Sequence, residues 1–372
     1  MAQAEKKKFK DWFDQEAAQR LAQQIGAAAP GFDQKSFIKQ ASKGLEKLEM
    51  NARVHQFSQS MADHLPADKN RALEILTLSL PEILPDTDQV TDGWLQRPVG
   101  KFIADYGLPH FETAMTAMIE LTQRFSSEFA VRPFVEAYQD QTIARLLQLT
   151  QHSSPHVRRW CSEGTRPLLP WGKKLTALVE DPDPVWPILE ALKDDPERYV
   201  QKSVANHLND ISKNHPDRVV ARCKEWMHKG SANRKWIVRH GLRTLIKEGH
   251  PDALALIGYT PVKHLHCKLK LSPPKISIGE NTRLEIELHN QHRHSQKLLI
   301  DYAVTYVRQK GKTGRKVFKW TTLELPSNKT ICLQKKHAMK ITSIRALYPG
   351  VHQVELLVNG SVVVQSHFTL CP

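Results

Sequence analysis

The sequence predicts a multidomain α-then-β protein: a right-handed α-solenoid of HEAT-like helix pairs over residues 1–261, then an immunoglobulin-like β-sandwich over residues 262–372. Three observations predict it. Apolar residues recur three or four apart through the first part. The period changes to alternation after Gly258-Tyr259-Thr260-Pro261. Charge is also divided unequally, with 35 Lys+Arg against 33 Asp+Glu before that point and 18 against 6 after it.

The helical part opens with AAQRLAQQI, SFIKQASKGLEKL and ARVHQFSQSMADHL, each with an apolar stripe of helical period. Pro30-Gly31, Pro66 and Pro81 punctuate them, and RALEILTLSL, FETAMTAMIELTQRF and RPFVEAYQDQTIARLLQL continue the pattern. Short polar or proline-containing breaks between the runs suit antiparallel helix pairs. Between residues 150 and 250 the pattern repeats. SSPHVRRWCSEGTR, DPERYVQKSVANHLNDISK and SANRKWIVRHGLRTLIK each set a valine beside basic residues, and Val157, Val200 and Val238 are 43 and 38 residues apart. That spacing is close to the period of stacked helix hairpins.

After residue 261, HCKLKLSPPKISI, NTRLEIELHN, QKLLIDYAVTYVRQ, RKVFKWTTLEL, KTICLQKKHAMKI and GVHQVELLVNGSVVVQSHFTL alternate as strands do. Asn359-Gly360 is a hairpin signal. Six to eight strands in about 110 residues is the size of an immunoglobulin-like sandwich, with a small closed barrel as the alternative.

Composition narrows the classes. At 40% hydrophobic and 25% charged residues the chain is globular in character. Its cysteines, Cys161, Cys223, Cys267, Cys332 and Cys371, are odd in number and form no CxxC pair. Neither a disulfide framework nor a metal site is indicated, and a reducing cytoplasmic setting is expected. MAQAEKKKFKDWF has no apolar run after its basic residues, so it does not read as a secretory signal. No stretch approaches about 18 apolar residues, so no membrane association is expected. The net charge of +14 attracts a nucleic-acid backbone, although a basic protein without that role is also possible on charge alone.

Four residues apart along SANRKWIVRHGLRTLIKEG stand Lys235, Arg239, Arg243 and Lys247, a basic row able to reach successive phosphates. Ser231 and Asn233 near the start of that helix are candidate caps or phosphate contacts. Lys202, Asn206 and Asp210 share the period i, i+4, i+8, with Val200, Val204, Leu208 and Ile211 as the core side. An acid on the basic face of a nucleic-acid groove repels phosphate, so Asp210 needs either a salt bridge or a catalytic reason. Glu163 poses the same question, four residues after Arg159 and three before Arg166. Glu128 stands near a helix start with Arg132 one turn on, where a helix dipole alone would favour it. Trp171, after Pro170, is either core filling or a platform for a ligand.

SSEFAVRPF, HVRRWCSEGTRPLLPW and KWIVRHGLRTLIKEGHPDAL resemble the AlkC-type alkylpurine DNA glycosylases, which are built from HEAT-like repeats. The resemblance covers essentially the whole chain, including a carboxy-terminal immunoglobulin-like domain found in one branch of that family. It implies removal of small cationic lesions, 3-methyladenine and 3-methylcytosine, from duplex DNA. It would place Glu128, Glu163, Trp171 and Asp210 at the damaged nucleotide, with Arg158, Arg159, Arg166, Lys235, Arg239 and Arg243 lining the DNA-binding side. NHLNDISK, around Asp210, is the least distinctive of these contexts.

The chemistry of such a lesion is consistent with those residues. A base methylated at N3 is already cationic, so its glycosidic bond breaks without a general acid, and no cofactor is needed. What remains is to stabilise an oxocarbenium-like sugar and position a water. Glu163 is expected to be the main stabilising or water-orienting group, Glu128 and Asp210 to assist, and Trp171 to stack beside the sugar. Family members are thought to leave the lesion in bent duplex rather than draw it into a pocket. QHRHSQK, VRQKGKTGRK and QKKHAMK would let the sandwich grip the same duplex. A monomer is the default for this architecture. A non-catalytic DNA-binding protein and a protein-interaction scaffold are the competing classes.

Overall fold

Asp14, Asp33 and Asp68 each close the first turn of a helix by accepting a backbone N–H with the side chain. These helices belong to a computed structural model that describes residues 8–85, 93–341 and 346–372. The opening basic residues Lys6 and Lys7 lie outside them. Helices follow one another as α1 (Gln15–Ala28), α2 (Gln34–Ala41), α3 (Met50–His64), α4 (Lys69–Leu78), α5 (Arg97–Tyr106) and α6 (Phe111–Thr122). Next come α7 (Arg132–Ala137), α8 (Gln139–Leu149), α9 (Pro155–Glu163), α10 (Thr176–Glu180), α11 (Trp186–Leu192) and α12 (Arg198–Ile211). The last are α13 (Pro216–Met227), α14 (Ala232–Gly241), α15 (Arg243–Glu248) and α16 (Pro251–Leu256). Among the described residues no helix is long and apolar enough to cross a membrane.

The repeat read from the sequence is present. Val157, Val200 and Val238 fall on α9, α12 and α14, all fully buried, and α12 packs against both of its neighbours. Gly241 makes the α12–α14 approach possible, because a Cβ there would stand 3.0 Å from that of Leu208.

Eight strands follow: β1 (Leu265–Ser272), β2 (Lys275–Ser277), β3 (Asn281–Asn290), β4 (Gln296–Val307), β5 (Thr313–Leu325), β6 (Thr330–Ala338), β7 (Gly350–Val358) and β8 (Ser361–Cys371). They form a sheet β1-β3-β6 and a second sheet β2-β8-β7-β4-β5. All neighbours are antiparallel except β2 and β8. Leu271 and Leu284 of the first sheet share one core with Tyr302, Val304, Val354, Phe368 and Leu370 of the second. Two open sheets face to face make a sandwich, and the closed-barrel alternative is set aside. Asn359 and Gly360, at φ 49° and 81°, turn β7 into β8 as the dipeptide predicted.

The helix-to-strand change lies between Leu256 and Leu265. Two compact units emerge from the contacts. One joins residues 1–215 with 229–241, and the other joins residues 216–228 with 242–372. The second unit therefore combines α13, α15 and α16 with the sandwich.

Candidate active site

The carboxy-terminal end of α9 is where the chemistry-bearing residues converge. A helix end leaves carbonyls without partners, and here side chains take them. Thr165 Oγ1 donates to the carbonyl of Cys161 (2.8 Å), and His207 Nδ1 meets that of Ser162 (3.0 Å). Arg132 Nη1 donates to Gly164 O (3.1 Å) and Arg166 O (2.9 Å), while its Nε reaches Lys173 O (2.7 Å). Arg132 is 2% exposed, and burial lowers its pKa to about 10. Gly164 fits because it lacks a side chain, since a Cβ would come 2.6 Å from Val131 Cγ1.

Acids and bases alternate along this end. Arg159 Nη1 pairs with Glu128 Oε2 at 2.5 Å and its Nη2 with Glu163 Oε1 at 3.4 Å. Arg166 Nη1 meets the same Glu163 oxygen at 2.6 Å, and Arg166 Nε meets Asp210 Oδ2 at 2.9 Å. Lys213 closes the series on Asp210 Oδ1 at 3.2 Å. Ser203 Oγ donates to Glu163 Oε2 (2.6 Å), and Ser126 Oγ donates to Glu128 Oε2 (3.2 Å). The Arg159 guanidinium also lies over the Tyr199 ring, 5.2 Å from its centroid.

Electrostatics follow from burial and partners. Burial pushes the Glu163 carboxyl up, but Arg159 and Arg166, with the Ser203 hydrogen bond, hold it below the ordinary carboxylate value. Burial lowers the pKa of Arg166, and Glu163 and Asp210 raise it further than burial lowers it. Glu163 is therefore an anion in a low-dielectric setting, where its field on a nearby cation is stronger than in water.

Beside this series lies a cavity of about 340 Å³ whose walls include Ser126, Phe129, Arg97, Arg132 and Trp171. Trp171 is 85% exposed and sits at φ 62°, so its ring stands in the open beside the cavity and does not fill the core. Arg97 lies over Phe129 (5.3 Å) in the same walls and over Trp94 (4.9 Å) outside them.

The family described as DNA alkylation repair enzyme matches residues 125–245, the span that contains this series. The family described as YhaZ, C-terminal Ig-like domain, matches residues 266–372. A Bacillus subtilis (strain 168) protein described as uncharacterized protein YhaZ is 34% identical over 98% of this chain and 99% of its own length. The solved structure of Pseudomonas fluorescens alkylpurine DNA glycosylase AlkC, bound to DNA containing an abasic site analog, matches 98% of this chain and 99% of its own. Its TM-score is 0.88 at 34% identity. The chain belongs to the AlkC-type family of alkylpurine DNA glycosylases.

Against the sequence expectations, the AlkC-type scaffold brings Glu128, Glu163 and Asp210 into one linked series, with Trp171 on the adjoining cavity. Three placements differ. Arg158, expected on the DNA side, turns inward to Asp195 (Nε–Oδ2 2.6 Å) and to the carbonyls of His152 and Ser153. Arg166, also expected on the DNA side, is 6% exposed and pairs with two carboxylates, those of Glu163 and Asp210. Asp210 does not share an open face with Lys202, because it turns to Arg166 and Lys213. Lys202 is exposed and Asp210 is buried. Lys235, Arg239 and Lys247 are exposed, whereas Arg243 is partly buried. The single helix expected to carry that row is interrupted at fully buried Leu242, which divides it into α14 and α15. Ser231 Oγ accepts from Arg234 N (3.1 Å) and donates to Asp194 (3.2 Å), so it caps the helix. Sequence reasoning missed Ser203, His207 and Tyr199, whose spacing of four along α12 was the available signal.

Proposed function

We propose that this chain is a monofunctional DNA glycosylase that hydrolyses the N-glycosidic bond of small cationic alkylated bases, 3-methyladenine and 3-methylcytosine, in duplex DNA. The observation that carries the reading is the ionised, buried Glu163 held between two guanidiniums, within the region that matches the DNA alkylation repair family. A fixed carboxylate stabilises the oxocarbenium-like sugar that forms as the cationic base departs, and Glu128 and Asp210 complete the negative field and orient water. The exposed face of Trp171 supplies a wall beside the sugar.

Duplex DNA is the proposed partner, bound by a single chain in the cytoplasm without a cofactor. The relative's complex with DNA containing an abasic site analog supports that choice. Exposed Lys202, Lys235, Arg239 and Lys247 are proposed backbone contacts, and the sandwich, carrying most of the net charge, a second grip. The lesion is proposed to stay in bent duplex, its selection resting on its charge and weakened pairing. The test is release of free methylated bases from alkylated duplex DNA, separated by chromatography. Release of 3-methyladenine and 3-methylcytosine, with strand breaks only after chemical cleavage of abasic sites, is expected. Binding of alkylated DNA without any released base would overturn the reading in favour of an inert damage binder.

A further inference from the structure

The face of α12 that looks onto the end of α9 carries Tyr199, Ser203, His207 and Asp210, spaced four, four and three apart, which brings them onto one side of the helix. Each meets a different group of the α9 end. Tyr199 lies under the Arg159 guanidinium, Ser203 donates to Glu163 Oε2, His207 bonds the Ser162 carbonyl, and Asp210 receives Arg166. Ser203 is 2% exposed and His207 fully buried. We infer that Ser203 and His207 are positioning residues that set the orientation of the Glu163 carboxylate for the reaction. This rests on the reading of Glu163 as the group facing the substrate.

The physical case is one of competing geometries. Both guanidiniums approach the same Glu163 oxygen, Oε1, at 2.6 and 3.4 Å. A carboxylate between two arginines gains by turning both oxygens onto one fork. The Ser203 hydroxyl, 2.6 Å from Oε2, holds the second oxygen away from that arrangement. His207 fixes the backbone one residue before it. The Ser162 oxygen can only accept, so Nδ1 carries a proton, and among the described residues Nε2 meets no hydrogen-bond partner. Burial first, then Arg166, pushes its pKa down to about 3, so the ring is neutral near pH 7 and its one proton sits on Nδ1. A protonated ring would add a third cation beside Glu163 and compete for it.

The experiment compares the full-length wild type with Ser203→Ala, Ser203→Thr, His207→Leu, His207→Asn and Glu163→Gln. It measures kcat and KM for 3-methyladenine excision from duplex DNA across pH, affinity for DNA with an abasic analog, and the thermal midpoint. Ser203→Ala is expected to lower kcat about 10- to 100-fold with KM and DNA affinity within about twofold. Its acid limb should move to higher pH, because a lost donor raises the Glu163 pKa. Ser203→Thr, which keeps the hydroxyl, and His207→Asn, which keeps a donor at the Nδ1 position, should recover activity that Ala and Leu lose. If Glu163→Gln retains wild-type excision, the reading of Glu163 itself fails. If Glu163→Gln is inactive while Ser203→Ala keeps the wild-type kcat and acid limb, the positioning inference alone is overturned. A loss in Ser203→Ala that tracks only the thermal midpoint, with the limb unmoved and no recovery in Thr, also overturns it.

Discussion

Replacing Arg132 with Met tests whether one buried cation builds the floor of the site. Met matches the length of the stem and removes every donor. The carbonyls of Gly164, Arg166 and Lys173, now bonded at 3.1, 2.9 and 2.7 Å, would lose those donors. A buried acceptor left unsatisfied costs about 1–3 kcal/mol, so the three together cost about 3–9 kcal/mol. Against this stands relief from burying the charge, about 3 kcal/mol from the lowering of its pKa from 12.5 to about 10. A net loss of about 0–6 kcal/mol, centred on about 3 kcal/mol, follows, concentrated in the segment from Gly164 to Lys173 that carries Trp171. Hydrogen exchange should become faster there than elsewhere, and the denaturation midpoint should fall. Because Glu163 immediately precedes the clamped turn, kcat should drop with it. A midpoint shift worth under about 0.5 kcal/mol, with unchanged exchange from 164 to 173, would refute the claim that Arg132 holds this turn.

Further consequences can be measured separately. Gly164→Ala sets a methyl group 2.6 Å from Val131 Cγ1 and should destabilise by about 1–3 kcal/mol, read from the same denaturation curve. Trp171→Ala removes a ring that is 85% exposed, so the melting point should hold while kcat falls about tenfold or more in single-turnover excision. His207 gives a pH dependence whose sign is fixed. Its folded pKa of about 3 lies below the ordinary imidazole value of 6.5, so between them the unfolded chain binds a proton that the folded chain does not. Stability therefore falls as pH drops below 6.5, by up to about 1.4 kcal/mol per pH unit, and His207→Asn should flatten that slope in thermal midpoints taken from pH 7 to 5. Glu163 has the acid-group sign. Its folded pKa is lowered, so the stability it contributes is present at neutral pH and is lost as pH falls through that value.

Much of this molecule was legible in its sequence, because local periodicity decides most of it. The valines at 157, 200 and 238 mark helices that do stack, and Asn359-Gly360 turns where a type I′ hairpin needs two positive φ values. Glu163 between Arg159 and Arg166 could be seen as one helical side. What periodicity could not give was the partner across the interface. Arg158 and Arg159 are neighbours in a basic pair, yet one turns to Asp195 and the other to Glu128, a choice made by α11–α12 and by the segment before α7. Arg132 looked like a partner for Glu128 one turn away, but three backbone carbonyls from a distant loop claim it. Trp171 was ambiguous because a left-handed φ that throws a ring outward has no single-sequence signature in a non-glycine residue.

The account stands most directly on Glu163. Glu163→Gln keeps the shape of the side chain while removing its charge and turning one of its two acceptor oxygens into a donor, so single-turnover excision of 3-methyladenine from duplex DNA tests the carboxylate itself. The expected result is a fall in rate of about 100-fold or more, with affinity for abasic-analog DNA within about threefold of wild type. Excision at the wild-type rate would contradict it.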